Sequence, residues 1–215
     1  PVCDHSFSKF LPYGRLQPRE NALCPSCLSL ERHRLMHMFL KNETSFYTAK
    51  PRVLHVAPEY CFIDRFEKYL GDQYITADIE SPLAKVKMDL HDIPFEDNTF
   101  DVVFCNHVLE HIPDDTKAMQ ELYRVLKPGG MGIFQIPQDL SREFTFADDS
   151  ITNQKERAAI FGQYDHVRIY GRDYFDKLRS IGFKVIEEDF TNKIAPELVE
   201  KFCLAKGEII PVCFK

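Results

Sequence analysis

Polar side chains follow the apolar runs of this sequence between residues 52 and 139, at the points where buried strands would end. Glu59 follows the run RVLHVA, and QYITADI contains Asp78, 21 positions beyond Ala57. At that spacing an acidic side chain reaches ribose hydroxyls in dinucleotide-binding folds. Asn106 and His107 follow a later run, FDVVFC. Because ligands bind outside the carboxyl ends of parallel strands, we expect these side chains to meet at one edge of a sheet.

The elements that must position these side chains alternate between strand and helix. Apolar runs predict buried strands at RVLHVA, QYITADI, AKVKMDL, FDVVFCNHVL and MGIFQIP. Helices are predicted over 28–40, 59–70 and 114–127, and again from Arg172 to a stop at Gly182, after which a further strand follows. The pattern lapses between Pro137 and Arg172. Such alternation predicts an α/β fold: a Rossmann-like, doubly wound, mostly parallel sheet with helices on both faces.

Composition and charge argue against a membrane-spanning protein and against a disulfide-rich one. In 215 residues no apolar run approaches the roughly 20 residues of a membrane helix, so we expect no membrane partner. Seven unevenly spaced cysteines do not resemble a disulfide scaffold, which indicates a reduced, cytoplasmic protein. The net charge is −6, yet residues 1–52 hold eight Lys or Arg against four acids. This basic front end indicates either a polyanionic partner or an ordinary mixed surface.

A family resemblance follows from one long stretch, DLHDIPFEDNTFDVVFCNHVLEHIPDDTKAMQELYRVLKPGGMGIFQIP. It resembles the middle of a class I S-adenosylmethionine-dependent methyltransferase of the type 11 family. The segments IPFEDNTFDVV, LEHI and ELYRVLKPGG are its most specific marks, and the resemblance extends over residues 52–190. It implies an enzyme that uses S-adenosylmethionine as cofactor and transfers a methyl group to an unidentified acceptor.

The resemblance also assigns roles to individual residues. Asp78 would accept both ribose hydroxyls of the cofactor, and Asp89 would bind the adenine amino group with Leu90 beside the ring. Asn106 and His107 would line the methyl donor. The predicted cofactor-binding residues are His55, Ala57, Glu59, Asp78, Ile79, Asp89, Leu90, Asn106 and His107.

The loop after the first of these strands departs from the family pattern, which has an Asp followed by alternating glycines. His55 stands at the Asp position, and Ala57, Glu59 and Cys61 stand at the glycine positions. Ala57 adds one methyl group where backbone must approach the ligand, and Pro58 suits the first turn of a helix. Glu59 would either pair with the ammonium group of the cofactor or complement the helix dipole. A carboxylate there would repel phosphate, which disfavours a dinucleotide dehydrogenase.

Candidates for contact with the acceptor come from two segments. An in-line approach to a sulfonium does most of the work of methyl transfer, but an acceptor that must lose a proton also needs a base. We predict His107, His166 and Arg168 as the catalytic or substrate-pocket residues, and we expect the segment GQYDHVRIYG to cover the acceptor. His111 is the alternative base, although a lone histidine is more often structural. Cys105 is expected in the core.

The front end carries a predicted zinc site. Cys3, Cys24 and Cys27 match the spacing of a four-cysteine zinc knuckle with one ligand missing. The fourth ligand is expected to be either a cysteine just before Pro1 or one of the histidines at positions 5, 33 and 37. A redox pair of Cys24 and Cys27 is the weaker interpretation.

This front end also resembles that of type 11 methyltransferases with a zinc ribbon. We therefore predict two parts of the chain. Residues 1–45 form a Cys-rich, zinc-ribbon-like segment with its following helix, and residues 46–215 form a Rossmann-like domain.

Two other functions stay open at this stage. One is a non-catalytic binding module, a zinc ribbon on a Rossmann-like body with a degenerate glycine loop, and the other is a nucleotide-sugar or nicotinamide enzyme. The acceptor is a small molecule, an RNA or a protein. The basic front end favours RNA slightly, whereas the acidic body disfavours extended contact with nucleic acid. The oligomeric state is left open.

Overall fold

The computed structural model describes residues 1–14 and 18–215. Within these ranges the strands are β1 Leu11–Tyr13, β2 Arg19–Leu23, β3 Val53–Val56, β4 Tyr74–Asp78, β5 Val86–Lys87, β6 Phe100–Cys105, β7 Leu126–Ile133, β8 Phe146–Ala147, β9 Arg168–Ile169, β10 Lys184–Glu188 and β11 Ile210–Phe214. The α-helices are α1 Glu31–Asn42, α2 Phe46–Ala49, α3 Tyr60–Leu70, α4 Asp115–Val125, α5 Gln154–Phe161, α6 Tyr174–Ile181 and α7 Pro196–Lys201. Short 3₁₀ turns lie at Gly71–Gln73, Leu109–His111 and Phe190–Lys193.

The chain forms two compact units, each assembled from three stretches. The first consists of Pro1–Pro51, Pro58–Tyr74 and Glu188–Ile210, and the second of Arg52–Ala57, Ile75–Glu187 and Pro211–Lys215. Within the predicted front segment 1–45, residues 15–17 lie outside the described part of the chain. The division of the sequence at residue 45 stays a prediction.

The main sheet confirms the predicted α/β, Rossmann-like architecture. Across the described ranges it has seven strands in the order β10-β11-β7-β6-β3-β4-β5. The pairs β3–β6, β6–β7 and β4–β5 are parallel, and β11 runs antiparallel beside β7. The strand order reverses at β3, which lies between β4 and β6. In such sheets the crevice for ligands opens outside the carboxyl ends of the strands at that reversal.

Apolar residues explain why these strands occupy the centre of the second unit. All four residues of β3 are buried, and so are five of the six residues of β6. Strands that are buried on both faces consist of continuous apolar runs instead of alternating ones, which is why both were visible in the sequence. Cys105 is fully buried at the end of β6, as expected.

The helix α4 differs at its end from the predicted span 114–127. It begins as predicted, because the Asp114 side chain accepts a hydrogen bond from the Lys117 amide (2.9 Å). It ends two residues early, since Leu126 already has an extended backbone and starts β7. Gly129 takes the expected left-handed conformation (φ 77°), but inside the strand, where its amide donates to the Lys215 carbonyl.

Helices and strands also occur in segments where the sequence shows no helical or strand periodicity. Between Pro137 and Arg172 lie β8, α5 and β9, and the strands are only two residues long. β11 completes the sheet near the C terminus, where no element had been predicted. A two-residue strand has no period to recognise, so sequence patterns do not reveal it.

The first unit consists of the β1–β2 hairpin followed by helices. Its helix α1 begins at Glu31, three residues later than predicted, because Leu28 has a left-handed backbone (φ 61°). Phe46, Phe66 and Tyr47 pack as an aromatic cluster with ring centroids 5.0–6.4 Å apart. No helix in the described part of the chain combines the length and the apolar character needed to cross a bilayer.

Candidate active site and candidate metal centre

The glycine-free loop after β3 keeps a backbone conformation that favours glycine. Ala57 has φ 46°, and its amide donates a 2.9 Å hydrogen bond to the carbonyl of Ala77, next to the end of β4. A left-handed conformation costs a residue with a Cβ atom about 1–2 kcal/mol relative to a right-handed one. Non-glycine residues held in this region cluster at functional sites, where the surrounding structure maintains the strain.

Asp78 ends β4 with one carboxylate oxygen engaged. Its Oδ1 accepts hydrogen bonds from the amides of Glu80 (2.8 Å) and Ser81 (2.7 Å), which fixes the carboxylate at the strand end. A cavity of about 350 Å³ opens beside it and includes Ile79. The Ile79 side chain is exposed (53%), so it offers an apolar surface beside an acceptor.

Asp89 and Leu90 follow β5. Asp89 is exposed, and its Oδ1 accepts the His91 amide and lies 2.8 Å from His91 Nδ1. These hydrogen bonds lower the pKa of Asp89 below its usual range. Leu90 is buried (4% exposed). The carboxylate therefore faces outward while the next side chain anchors the turn.

Asn106 and His107 are fixed at the carboxyl end of β6 by the neighbouring strand. Asn106 is buried, and its Oδ1 accepts the Gln135 amide (3.0 Å), while the His107 amide donates to the Gln135 carbonyl (2.7 Å). His107, like Ala57, has a left-handed backbone at the end of a parallel strand (φ 55°). The Gln135 side-chain nitrogen is buried and has no hydrogen-bond partner in the described ranges. We had not singled out Gln135 from the sequence, because one glutamine after a strand carries no signal.

A group of acidic and imidazole side chains follows β6. His107 Nδ1 lies 3.5 Å from Glu110 Oε1, and His111 Nδ1 lies 3.4 Å from Asp165 Oδ2. The rings of His111 and His166 meet edge to face, with centroids 4.7 Å apart. Burial lowers the pKa of His166 below its usual value. The structure thus gathers two of the predicted substrate-pocket histidines near Glu110, whose part the sequence had not indicated.

Arg168, the third predicted pocket residue, has other contacts. It is buried (6% exposed), pairs with Asp115 (2.5 Å) and donates to the carbonyls of Ile112 (2.7 Å) and Pro113 (2.6 Å). These contacts give Arg168 a structural part in joining β9 to the start of α4. Its predicted contact with an acceptor stays a prediction.

His55 and Glu59 were predicted at the glycine-loop positions. The His55 ring is fully buried in β3 and lies edge-on to Phe104, with centroids 5.6 Å apart. Glu59 belongs to the first unit and occupies the N-cap position of α3 with an extended backbone. A carboxylate there is favourable to the helix dipole, and its pairing with an ammonium group stays a prediction.

Three thiols meet in the first unit. The sulphur atoms of Cys3, Cys24 and Cys27 all lie within 4.8 Å of one another, and the Cys3–Cys24 distance is 3.8 Å. Two thiolates bound to one tetrahedral zinc at about 2.3 Å each would also lie about 3.8 Å apart. Burial opposes ionisation of Cys3, but hydrogen bonds to His5 outweigh it and lower the pKa of Cys3 to about 6. This donor set fits zinc.

Two of the histidines considered as a fourth ligand are engaged elsewhere through Nδ1. His33 Nδ1 lies 3.4 Å from Cys61 Sγ, and His37 Nδ1 lies 2.8 Å from the Tyr47 hydroxyl. Burial lowers the pKa of His37 to about 4. His5 contacts the cluster directly, because its hydrogen bonds with Cys3 raise the pKa of His5. The choice of the fourth ligand stays a prediction.

Arg34 supports the cysteine turn and was not predicted. Its side chain is fully buried in α1, donates to the carbonyls of Ala22 (2.8 Å), Ser29 (2.9 Å) and Phe202 (2.7 Å), and lies 4.1 Å over the Phe10 ring. An arginine in a helix is usually solvated, so no pattern in the sequence indicates that this one holds the backbone on both sides of Cys24.

Comparison with known proteins agrees with the fold. Residues 52–134 match the sequence profile of the family described as a methyltransferase domain. A sterol 24-C-methyltransferase of Schizosaccharomyces pombe is 34% identical over 120 residues, which cover 53% of this chain and 30% of that protein. A ubiquinone/menaquinone biosynthesis C-methyltransferase of Haemophilus ducreyi is 34% identical over 88 residues, covering 32% and 34%. The chain therefore spans about a third of the length of these relatives.

Solved structures of methyltransferases have the same fold. A SAM-dependent methyltransferase from Archaeoglobus fulgidus superposes with a TM-score of 0.54 at 17% identity, covering 85% of this chain and 94% of that one. An S-adenosylmethionine-dependent methyltransferase from Mesorhizobium loti superposes with a TM-score of 0.50 at 15% identity, covering 85% and 96%. The fold is the Rossmann-like fold of methyltransferases.

Proposed function

We propose that this protein is an S-adenosylmethionine-dependent methyltransferase. The observation that carries the proposal is the left-handed backbone of Ala57, which keeps a glycine-type turn at the carboxyl end of β3 without any glycine. Non-glycine residues in this conformation are found at ligand-binding sites, where a close approach of backbone and ligand requires such a turn. The match of residues 52–134 to the methyltransferase-domain profile supports the same conclusion.

The side chains at the strand ends fit such a cofactor. Asp78 has its Oδ1 engaged in the turn, which leaves Oδ2 to accept the ribose hydroxyls. Asp89 would accept the adenine amino group, with Leu90 and Ile79 as the apolar neighbours of the ring. Asn106 and His107 would line the methionine end. When bound, S-adenosylmethionine supplies an electrophilic methyl group.

The acceptor would bind beside the histidines that follow β6. His107 would take a proton from an acceptor that must lose one, and His166 would line the same pocket. Arg168 would act by holding the segment 162–171 in place through Asp115. A small-molecule acceptor is supported by the relatives named as sterol and quinone methyltransferases. The basic residues of the front end are the support for RNA instead.

Two measurements test this function. Calorimetric titration with S-adenosylhomocysteine should give saturable binding of one molecule per chain. Incubation with labelled S-adenosylmethionine and separate metabolite, RNA and protein pools should then label one of them. Absence of binding would contradict the proposal. Binding of S-adenosylhomocysteine without transfer of methyl groups to any pool would favour the non-catalytic binding module. The absence of glycines from the loop after β3 is the feature that supports this alternative.

We further propose that Cys3, Cys24 and Cys27 hold one structural zinc ion, with a further cysteine or one of the histidines at positions 5, 33 and 37 as the fourth ligand. Residues 1–27 contain too few apolar side chains to fold alone, so a metal would supply their stability. A site closed by protein ligands leaves no position for water, which makes its role structural. Metal analysis of the purified full chain should find one zinc per chain.

A further inference from the structure

We propose that Glu110, His111 and His166 form a second metal site, which binds one divalent first-row transition-metal ion. One ligand atom from each side chain lies within 4.8 Å of the others. Ligand atoms on a tetrahedral zinc lie about 3.4 Å apart. Small rotations of the side chains would therefore close the cluster on an ion.

The carboxylate at the centre of this cluster has an unsatisfied oxygen. Glu110 is 1% exposed, and its Oε2 has no hydrogen-bond partner among the described residues. Its other oxygen, Oε1, faces His107 Nδ1 at 3.5 Å. A buried carboxylate is costly unless it is paired or bound to a metal. A cation bound to Oε2 would supply the missing interaction.

Both histidines are held through the nitrogen that a metal would not use. His111 Nδ1 lies 3.4 Å from the Asp165 carboxylate, and His166 Nδ1 lies 3.2 Å from the Phe161 carbonyl. Histidines that bind metals usually donate the N–H of the other nitrogen to a carboxylate or a backbone carbonyl, which fixes the tautomer and the ring orientation. The Nε2 atoms of both rings are then available as ligands.

Backbone contacts bring the two ligand-bearing segments together before any ion binds. The Val167 amide donates to the Glu110 carbonyl (2.9 Å), directly beside His166. The Tyr170 hydroxyl, which donates to Asp115, lies 3.3 Å from the Leu109 carbonyl oxygen, and Arg168 donates to the carbonyls of Ile112 and Pro113, which follow His111. A site fixed in this way loses little conformational entropy on binding.

The donor set determines the class of ion. Two imidazoles and one carboxylate suit Zn²⁺, Fe²⁺, Co²⁺ or Mn²⁺, and they leave positions open for water or another ligand. The cysteine cluster of the first unit offers soft thiolates instead. The two sites can therefore be distinguished by spectroscopy.

Cobalt binding tests the proposal. The full chain, first supplied with one equivalent of zinc for its cysteines, is titrated with Co²⁺ while its absorption spectrum is recorded. We expect saturable binding of one ion with weak ligand-field bands and without the intense sulphur-to-cobalt charge-transfer band. Glu110→Gln and His166→Gln should each weaken the affinity for Co²⁺ by at least about tenfold.

Matched variants make the result decisive. His91→Ala removes a different partly exposed histidine beside an aspartate, and it should bind Co²⁺ as the parent does. If circular dichroism shows that Glu110→Gln is unfolded, His111→Gln replaces it, because that side chain is already 28% exposed. No binding, a charge-transfer band alone, or an unchanged affinity in the folded variants would overturn the proposal. The cobalt titration does not require methyl transfer. A protein that binds no cobalt can therefore be distinguished from a protein that transfers no methyl group.

Discussion

Four residues that follow β3, β6 or β7 have a left-handed backbone or a buried polar atom without a hydrogen-bond partner in the described ranges. Ala57 and His107 are left-handed without being glycine, and Gln135 and Glu110 each bury a polar atom that lacks a partner in the described ranges. Each state costs stability, and all four residues lie at or just beyond the carboxyl ends of parallel strands. Such states also occur elsewhere in the described ranges, for example at Leu28 and Tyr69. Their position at the carboxyl ends of the strands, and not their presence alone, indicates a functional site.

Relief of strain at Ala57 is a direct test of its conformation. Ala57→Gly should raise the free energy of unfolding by about 0.5–1 kcal/mol, because the gain from removing Cβ exceeds the entropy that glycine loses on folding. Ala77→Gly, in the extended strand β4, should lower it. Urea denaturation measures both. A loss of stability in Ala57→Gly as large as that in Ala77→Gly would mean that Ala57 is not strained.

Asp78 is predicted to hold the ribose. Asp78→Asn keeps the Oδ1 acceptor of its turn but replaces the second oxygen with a donor. It should weaken S-adenosylhomocysteine binding by about 1.5–3 kcal/mol, or roughly 10- to 150-fold, in calorimetry. Asp148→Ala removes an aspartate that accepts a similar turn bond from Ser150 and should leave the affinity unchanged. Equal affinity in Asp78→Asn and the parent would show that Asp78 does not contact the cofactor.

At the scale of elements, one buried carboxylate joins β9, α4 and α6. Asp115 pairs with Arg168 (2.5 Å) and Lys177 (2.9 Å) and accepts a bond from the Tyr170 hydroxyl (2.7 Å). Burial opposes its charge, but these partners outweigh burial and lower the pKa of Asp115. This network, and not the hydrophobic pattern, positions the segment that carries His166.

Asp115→Asn should therefore destabilise the protein by about 3–5 kcal/mol at pH 7, because it leaves two buried or half-buried cations unpaired. The folded-state pKa of Asp115 is depressed, so its contribution is present above the unfolded value near 3.9 and is lost as pH falls through the folded value. Denaturation at several pH values should show the difference between parent and variant shrinking below about pH 4.

A surface pair provides the control for this prediction. Asp97→Asn removes an exposed partner of Arg124 and should cost less than about 1 kcal/mol. If Asp115→Asn changes the stability as little as Asp97→Asn does, the buried network does not stabilise the fold. A constant difference between Asp115→Asn and the parent across the acidic range would contradict the assigned pKa shift.

At the scale of the whole molecule, the chain forms two compact units, of which the first contains the three neighbouring thiols and the second contains Asp78, Asn106 and His107. The first unit depends on a small hairpin whose strands are largely exposed. Because such a hairpin is at best marginally stable alone, its order would depend on zinc and on the buried Arg34.

Removal of zinc should loosen this unit. The double variant Cys24→Ser/Cys27→Ser should contain no stoichiometric zinc, and amides of residues 18–30 should exchange with deuterium much faster than in the parent. Cys203→Ser, which changes a cysteine outside the cluster, should keep both the zinc and the protection. Full zinc content in the double variant would exclude the site, and a Cys24–Cys27 disulfide without metal would favour a redox pair.

The sequence by itself determined that the central strands of the main sheet alternate with helices along the chain. It also determined which polar residues follow these strands. β3, β4, β6 and β7 have apolar runs long enough to recognise, and Asp78 lies at a spacing fixed by the length of one strand–helix unit. The three cysteines were recognisable because zinc ligands recur at characteristic spacings.

The tertiary structure alone decided what these residues contact. Glu110 and His166 belong to segments far apart in sequence, and only the packing of β9 against the turn after β6 brings them together. Arg168 was predicted in the substrate pocket, and only the structure shows its buried pairing with Asp115. The left-handed backbone of Ala57 could not be predicted from the sequence, because the surrounding fold and not the residue type imposes this dihedral angle. Local periodicity encodes elements, whereas contacts between distant segments depend on three-dimensional packing.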